Sequence, residues 1–405
     1  MSSTPLSFEH PAAVARLMRF LAVEGITGQE KAISQEVQAA LVEEGVPRQA
    51  IVTDTAAERI PVPTQTGNLI VTLPGTVKGP RLLFSTHLDT VPLCAGCVPV
   101  QVGKNRIKPK GATALGGDNR TGVACLVTLA ATLLQQKLPH PPLTLLFTVR
   151  EESGLYGARH LNPKDLGDVA MGFNVDGRNP EEITIAAVGA ERWEAEIQGR
   201  ASHAGVHPEH GISATLVASL ALAEVHARGW FGKIEQDGKA GTSNVGIFGG
   251  SESTPAGNAT NVVTDHVFLR GEARSHDASF VKKITAAYRE AFHHASQQVT
   301  NHEGKKARVK FTSRLDYHPF RLRDNAPVVR QACAAVKQMG VEPVLRIANG
   351  GLDANWLVRH KIPTITFGAG QNNIHTVDEY VDIPLYLQGC RLALTLATLG
   401  HHPAG

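Results

Sequence analysis

Arg81-Leu-Leu-Phe-Ser-Thr-His-Leu-Asp89 is the stretch on which the reading of the fold turns. A short apolar-rich run of strand length ends abruptly in an imidazole and a carboxylate. The pattern recurs outward along the chain. Leu143–Val149 is an apolar run bounded by Pro142 and by Arg150-Glu151-Glu152, with the length and composition of a buried strand. Val169–Val175 is a further strand and leads into Asp176-Gly177. Between them, Asp118 and Asn119 are good helix caps before the apolar Val123–Leu134.

Further out, spacings of three and four predict helices over Pro11–Leu21 and Gln29–Leu41, with Gly45 after the second, and Gly67–Pro74 reads as a strand. Beyond residue 320 come a helix at Ala326–Met339, a strand at Val344–Ile347, a helix at Leu352–His360, a strand at Pro363–Phe367 and a helix at Pro384–Leu399. Alternating strands and helices of this kind predict an α/β domain with a mostly covered central sheet.

The texture changes near Glu191. Glu191–Gly199 alternates like a half-exposed strand, Ile212–Ala227 is a helix, Ser243–Phe248 and Val267–Ala273 are strands, Ser279–Ser296 is an amphipathic helix, and Ala307–Thr312 closes as a strand. That order resembles a split βαβ sandwich, an α+β unit in its own right. The predicted organisation is a discontinuous main domain, residues 1–187 and 314–405, with a second domain inserted at 188–313.

Composition excludes several classes of function. Of 405 residues, 42% are apolar and 19% charged, and the net charge is only +3, which argues against nucleic acid as a partner. No stretch nears eighteen consecutive apolar residues, so no membrane span is expected. The start, Met1-Ser-Ser-Thr-Pro-Leu-Ser-Phe-Glu-His10, has neither the basic nor the apolar region of a secretory signal. Five cysteines form no disulfide framework and point to a reducing, cytoplasmic setting. The lone Cys94-Ala-Gly-Cys97 is read as two incidental thiols rather than a redox pair or half a zinc site. G-x-S-x-G, Walker A, H-E-x-x-H and G-x-G-x-x-G motifs are all absent.

What remains is a series of His and acidic residues at apolar strand ends or in Gly-bearing loops: His87-Leu-Asp89, Gly117-Asp118-Asn119, Glu151-Glu152, Asn174-Val-Asp176-Gly177 and Ile374-His375-Thr376. Strand ends along one edge of an α/β sheet are where ligands bind. Carboxylates converging there repel one another unless a cation neutralises them, and two His with several carboxylates suit Zn²⁺ or a similar divalent ion.

The ordered segments Ser85–Pro92, Gly116–Gly122, Thr148–Gly157 and Asn372–Glu379 resemble the M20 family of metallopeptidases, most closely its peptidase T-like tripeptide aminopeptidases. The resemblance covers roughly residues 10–400 and includes Gly199-Arg-Ala-Ser-His203-Ala-Gly205 with Pro208-Glu209, Ala259–Val263 and Gly271–Ser275 in the insert. It implies a zinc-peptidase-like catalytic domain and an insert that serves as lid and dimerisation domain. Two divalent ions, Zn²⁺ or alternatively Co²⁺ or Mn²⁺, would be bridged by Asp118, with Glu152 and His375 completing one shell and His87 and Asp176 the other. Asp89 would orient His87, and Glu151 would be the general base. His203 would reach the active site of a partner subunit in a homodimer and stabilise the oxyanion, while Arg274 would bind the substrate's C-terminal carboxylate and Asn261 would contact substrate.

The implied reaction is release of the N-terminal residue from short peptides such as tripeptides. The alternative is an N-acyl-amino-acid amidohydrolase or carboxypeptidase, and a catalytically dead scaffold is disfavoured because the base and all five ligands are present. Asn119-Arg120 departs from the Asp and Lys common in relatives, and Gly249–Ala259 is longer than usual. Asn349–Asn355 resembles a substrate-side loop, and His207 and His210 read as exposed loop residues.

Overall fold

The computed structural model describes residues 7–251 and 253–400. The tail His401–Gly405, expected to be loose, and the first six residues lie outside them. The chain divides into two compact units, one made of the residues up to Ala187 and from Arg321 onward, the other Val188–Phe320. The second unit runs past the expected boundary at 313 because its last strand, Arg308–Tyr317, continues through that point.

Among its described residues the first unit holds a nine-stranded mixed sheet. At its centre, strand Arg81–His87 lies parallel between Leu143–Thr148 and Val169–Val175, and Thr364–Phe367 lies parallel beyond the last. The register pairs His87 with Thr148, Ser85 with Asn174 and Phe367 with Val175, so the four strands end nearly level. Parallel strands need covering on both faces, and every residue of Leu143–Thr148 is buried accordingly.

One of the covering helices is Gly117–Gln136, buried without interruption from Gly117 to Leu133. From Val123 to Leu133 only Thr128 and Thr132 are polar, as suits a helix body enclosed on every side. It packs on strand Arg81–His87 and on the helices His10–Leu21 and Ile383–Thr398. Asp118 and Asn119 are not helical in φ and ψ, and Asn119 Oδ1 accepts the Gly122 N–H at 3.0 Å. Asn119 therefore acts as the cap, leaving the preceding Asp118 outside the regular turns. A Cβ at Gly122 would overlap Thr86 Oγ1 and the Val175 carbonyl oxygen, so glycine is what lets this helix start close against the ends of two sheet strands.

A small sheet escaped the sequence reading: Pro99–Val102, Arg106–Pro109, Gln371–Asn372 and Tyr380–Asp382. It ties the 371–382 segment to a hairpin far upstream, pairing Val381 with Ile107.

The second unit is a five-stranded antiparallel sheet ordered Gly232–Gln236, Lys239–Gly249, His266–Ser275, Gly189–Gln198, Arg308–Tyr317, with helices Ala214–Ala227 and Ala278–Gln298. The split βαβ pattern is there, with an unpredicted edge strand, Gly232–Gln236. Asp237 (φ 53°) and Gly238 (φ 71°) form its turn, the left-handed pair that a two-residue hairpin requires. Trp193 is fully buried, 4.6 Å from the Tyr288 ring and 5.5 Å from that of Phe311. Truncating such a core aromatic costs about 3–5 kcal/mol. No helix among the described residues is long and apolar enough to cross a membrane.

Candidate active site

The level strand ends bring the predicted His and carboxylates of the first unit into one cluster. His87, last residue of its strand, is 2% exposed. Its Nδ1 lies 3.0 Å from the Asp89 carbonyl oxygen and 3.5 Å from Asp89 Oδ1, while Nε2 lies 3.1 Å from Asp118 Oδ1 and 4.0 Å from Asp176 Oδ1. On the other side of Asp118, His375 Nε2 is 3.3 Å from Oδ2 and 3.0 Å from Glu152 Oε1. The two oxygens of Asp118 thus meet different imidazoles, Oδ1 that of His87 and Oδ2 that of His375, with Asp176 beside His87 and Glu152 beside His375. Glu152 also lies close to His87 and Asp118, one ligand atom from each of the three being within 4.8 Å of the others.

Asp89 does more than meet His87. Its Oδ1 accepts the Glu151 N–H at 2.9 Å and its Oδ2 the Glu152 N–H at 3.1 Å, so one buried carboxylate sets the backbone of the glutamate pair. Before the pair, Arg150 takes a left-handed φ of 54°, and its N–H donates to the buried Glu30 Oε1 at 3.0 Å. Arg120, where relatives were expected to carry lysine, is a buried cation whose guanidinium donates to the Leu88 and Val23 carbonyl oxygens. Burial lowers it to about 10, which leaves it charged at neutral pH near Asp89.

Three further residues were not assigned roles from the sequence. Glu379, 1% exposed, accepts the N–H groups of Leu115, Gly116 and Asp118 at 2.7, 2.9 and 3.0 Å and so holds the Asp118 loop. Gln371 Nε2 donates to Asp176 Oδ1 at 3.2 Å. Asp353, also buried, accepts from Thr148 Oγ1 through one oxygen and leaves Oδ1 without a partner. Glu379 sits within the quoted Asn372–Glu379 motif, but nothing local announces that it serves a loop some 260 residues upstream.

Charge in this cluster is poorly compensated by the protein itself. Burial, helped by the Asp118 charge, pushes Asp176 up to about 8 and Glu152 up to about 7. Burial raises Glu151 well above the carboxylate range, with Asp176, Glu152 and Asp353 adding to it. Asp118 goes the other way: against burial, hydrogen bonds from His375 and His87 hold it below its usual value. Contacts with Asp118 and Glu152 raise His375 to about 10. A divalent cation is the physical answer to such crowding. The imidazole-to-carboxylate separations of 3.1 and 3.3 Å at Asp118 and 3.0 Å between His375 and Glu152 are close to the roughly 3.3 Å edge of a tetrahedral shell with bonds near 2.0–2.1 Å. The donor set therefore fits divalent metal.

The other predicted residues belong to the second unit. His203 is exposed, and its Nδ1 accepts the Gly205 and Val206 N–H groups at 3.2 and 3.1 Å. It pairs as an isolated bridge with Val262, and the Asn261 carbonyl oxygen accepts the Ala204 N–H at 2.8 Å, so Asn261 and His203 are brought side by side. Arg274 is ion-paired with Glu272: its Nη2 donates to Oε2 at 3.0 Å, while Nε lies 2.9 Å from Oε1 without making a hydrogen bond. Burial pushes the Cys94 thiol up to about 12 and also raises Cys97, so neither is a reactive thiolate.

The sequence pattern of peptidase family M20/M25/M40 matches residues 83–398. The uncharacterized protein YqjE of Bacillus subtilis (strain 168) is 33% identical over 318 residues, 78% of this chain and 80% of that one. Peptidase T of Limosilactobacillus fermentum is 24% identical over 93% of this chain and 94% of its own. Among solved structures, a tripeptidase of Staphylococcus aureus superposes with a TM-score of 0.86 at 26% identity, covering 97% of this chain and 98% of that one. The aminopeptidase PepT of Bacillus cereus gives 0.81 at 29%, covering 96% and 98%. With its fold, its strand-end cluster and a match over most of its length, the chain belongs to peptidase family M20/M25/M40 and is a hydrolase of the peptidase T-like kind.

Proposed function

We propose that this protein is a dinuclear aminopeptidase that removes the N-terminal residue from short peptides, tripeptides foremost. The observation that carries the reading is the division of Asp118, one oxygen toward His87 and the other toward His375, each imidazole having a further carboxylate beside it, Asp176 at 4.0 Å from His87 and Glu152 at 3.0 Å from His375. His87, Asp176 and Asp118 would hold one ion, and His375, Glu152 and Asp118 the other, with Zn²⁺ the favoured metal and Co²⁺ or Mn²⁺ alternatives. When bound, the ions supply Lewis acidity to the scissile carbonyl and to the attacking water.

Glu151 is the base. Burial and neighbouring carboxylates raise its affinity for a proton, the property needed to take one from water and return it to the leaving amine. Asp89 is a positioning residue, fixing the backbone from which Glu151 and Glu152 project. His203 donates from a second copy of the chain to the developing oxyanion. Two backbone N–H groups occupy its Nδ1, so the neutral ring carries its proton on Nε2, free to donate outward. Arg274 takes the substrate's C-terminal carboxylate in competition with Glu272, and Asn261 contacts substrate beside His203. A cytoplasmic setting belongs to the same proposal, supported by five cysteines that are all free thiols.

The test is amide hydrolysis by metal-reconstituted protein on free-amine di- and tripeptides, their N-acetylated forms and simple N-acyl amino acids. Turnover of tripeptides that vanishes on acetylation is expected. Turnover of the acylated compounds instead would assign an amidohydrolase and overturn the aminopeptidase reading.

A further inference from the structure

The second unit carries a convergence of metal-ligating groups of its own. His207 Nδ1 and His210 Nε2 approach the same oxygen, Glu209 Oε1, at 3.3 and 3.6 Å. One ligand atom from each of the three residues lies within 4.8 Å of the others. The imidazoles of His207 and His210 stack, with centroids 4.8 Å apart and planes 7° from parallel. A third ring, that of His302, lies 4.3 Å from His210.

The scaffold beneath is tied from both sides. The His302 N–H donates to the Glu209 carbonyl oxygen at 2.9 Å, Asn301 Nδ2 reaches the His210 carbonyl oxygen at 3.5 Å, and the His207 N–H donates to the His203 carbonyl oxygen at 3.0 Å. A segment some 90 residues away in sequence thus anchors the short turn that presents all three donors.

We propose that His207, Glu209 and His210 form a surface site for one borderline transition cation of the Zn²⁺ class. Two of the three ligand-to-ligand edges match the roughly 3.3 Å of a tetrahedral shell with bonds of 2.0–2.1 Å. Ring nitrogens bind metal in the plane of the ring, so the stacked imidazoles of exposed His207 and half-buried His210 rotate out of their parallel arrangement to close the third edge, and water completes the shell. Two imidazoles and a single carboxylate select Zn²⁺ over Mg²⁺, which wants an oxygen octahedron. Because His207 is bonded to the His203 backbone, an ion held here braces the turn that carries His203.

The experiment is equilibrium dialysis of the full-length protein against buffered micromolar free Zn²⁺, with metal per chain measured by mass spectrometry. The wild type is expected to hold one more zinc per chain than the His207→Ala/His210→Ala double variant, and Mg²⁺ to produce no such difference. Only the difference between the two proteins is read, so the result is independent of how many ions the strand-end cluster holds. Equal melting temperatures of the two chelator-stripped proteins establish that the variant folds. If it does not fold, Glu209→Gln replaces it, with at least a tenfold loss of zinc affinity at the extra site expected. Equal zinc content in wild type and variant, or an equal gain with Mg²⁺, overturns the proposal.

Discussion

Replacing Asp89 by asparagine tests how the glutamate pair is held. In the wild type one carboxylate accepts two N–H groups, from Glu151 at 2.9 Å and Glu152 at 3.1 Å, in a fully buried setting. A carboxamide has a single acceptor oxygen, so its NH₂ must face one of these donors. One charge-assisted hydrogen bond, about 1.5–3 kcal/mol, is lost, and the other weakens toward the 0.5–1.5 kcal/mol of a neutral pair. Removal of a negative charge near Glu30, Glu152 and Asp353, whose values Asp89 helps to raise, offsets part of the loss. A net cost of about 2–3 kcal/mol remains, or a melting temperature lower by about 4–6 °C at roughly 2 °C per kcal/mol for a unit of this size. Glu151, the proposed base, is displaced as well, and a displacement approaching 1 Å costs about 100-fold. The assay is tripeptide hydrolysis at saturating metal with metal content measured in parallel. The expected result is kcat lowered roughly 10- to 100-fold with KM little changed. A variant within threefold of wild-type kcat and within about 1 °C in melting temperature would refute the claim that Asp89 sets this loop.

Glu151→Ala should abolish turnover while metal content stays at the wild-type level, because no ion is assigned to Glu151; substantial residual activity would remove it as the base. Gly122→Ala should destabilise the first unit by about 3 kcal/mol or more, since its Cβ meets backbone and side-chain oxygens at the start of a buried helix, and a denaturation midpoint equal to wild type would contradict the packing argument. The metal-free protein should lose stability as pH rises. Asp176 and Glu152 ionise near pH 4 when unfolded but near 8 and 7 when folded, so between those limits the folded state binds more protons. Stability from these groups is full below about pH 4 and lost by about pH 8, and His375, raised to about 10, extends the fall. Zinc-loaded protein, with cations in place of protons, should show a flatter profile, and a stripped melting temperature that climbs from about pH 6 to about pH 8 would contradict the assignment.

Sequence made the strand ends legible because a buried parallel strand must be apolar throughout, so the residue that breaks the run stands out. His87, Glu151 and Asp176 are visible for that reason. Asn119 was readable as a cap because its short side chain bonds the N–H three residues on. The supporting residues were not readable. Glu379 acts on the backbone of Leu115, Gly116 and Asp118, and Asp353 on Thr148, through contacts between segments hundreds of residues apart that leave no periodicity behind. Tyr380–Asp382 and Gln371–Asn372 are too short to show alternation; the first exists as a strand because a distant hairpin pairs with it, and the second because it pairs with the first. The edge strand Gly232–Gln236 did have a local signal, the Asp237-Gly238 turn, between runs whose polar residues hid the alternation. His207, read as an exposed loop residue, is exposed, and His210 is half-buried; their stacked rings and the approach of His302 have no counterpart in sequence spacing.

The central claim is that Asp118 bridges two cations. Its most direct test is anomalous diffraction at the zinc edge from crystals grown with Zn²⁺. Two peaks roughly 3.5–4 Å apart, one on each side of Asp118, are expected, the first beside His87 and Asp176 and the second beside His375 and Glu152. A single peak, or peaks that leave either Asp118 oxygen without an ion, would contradict the account.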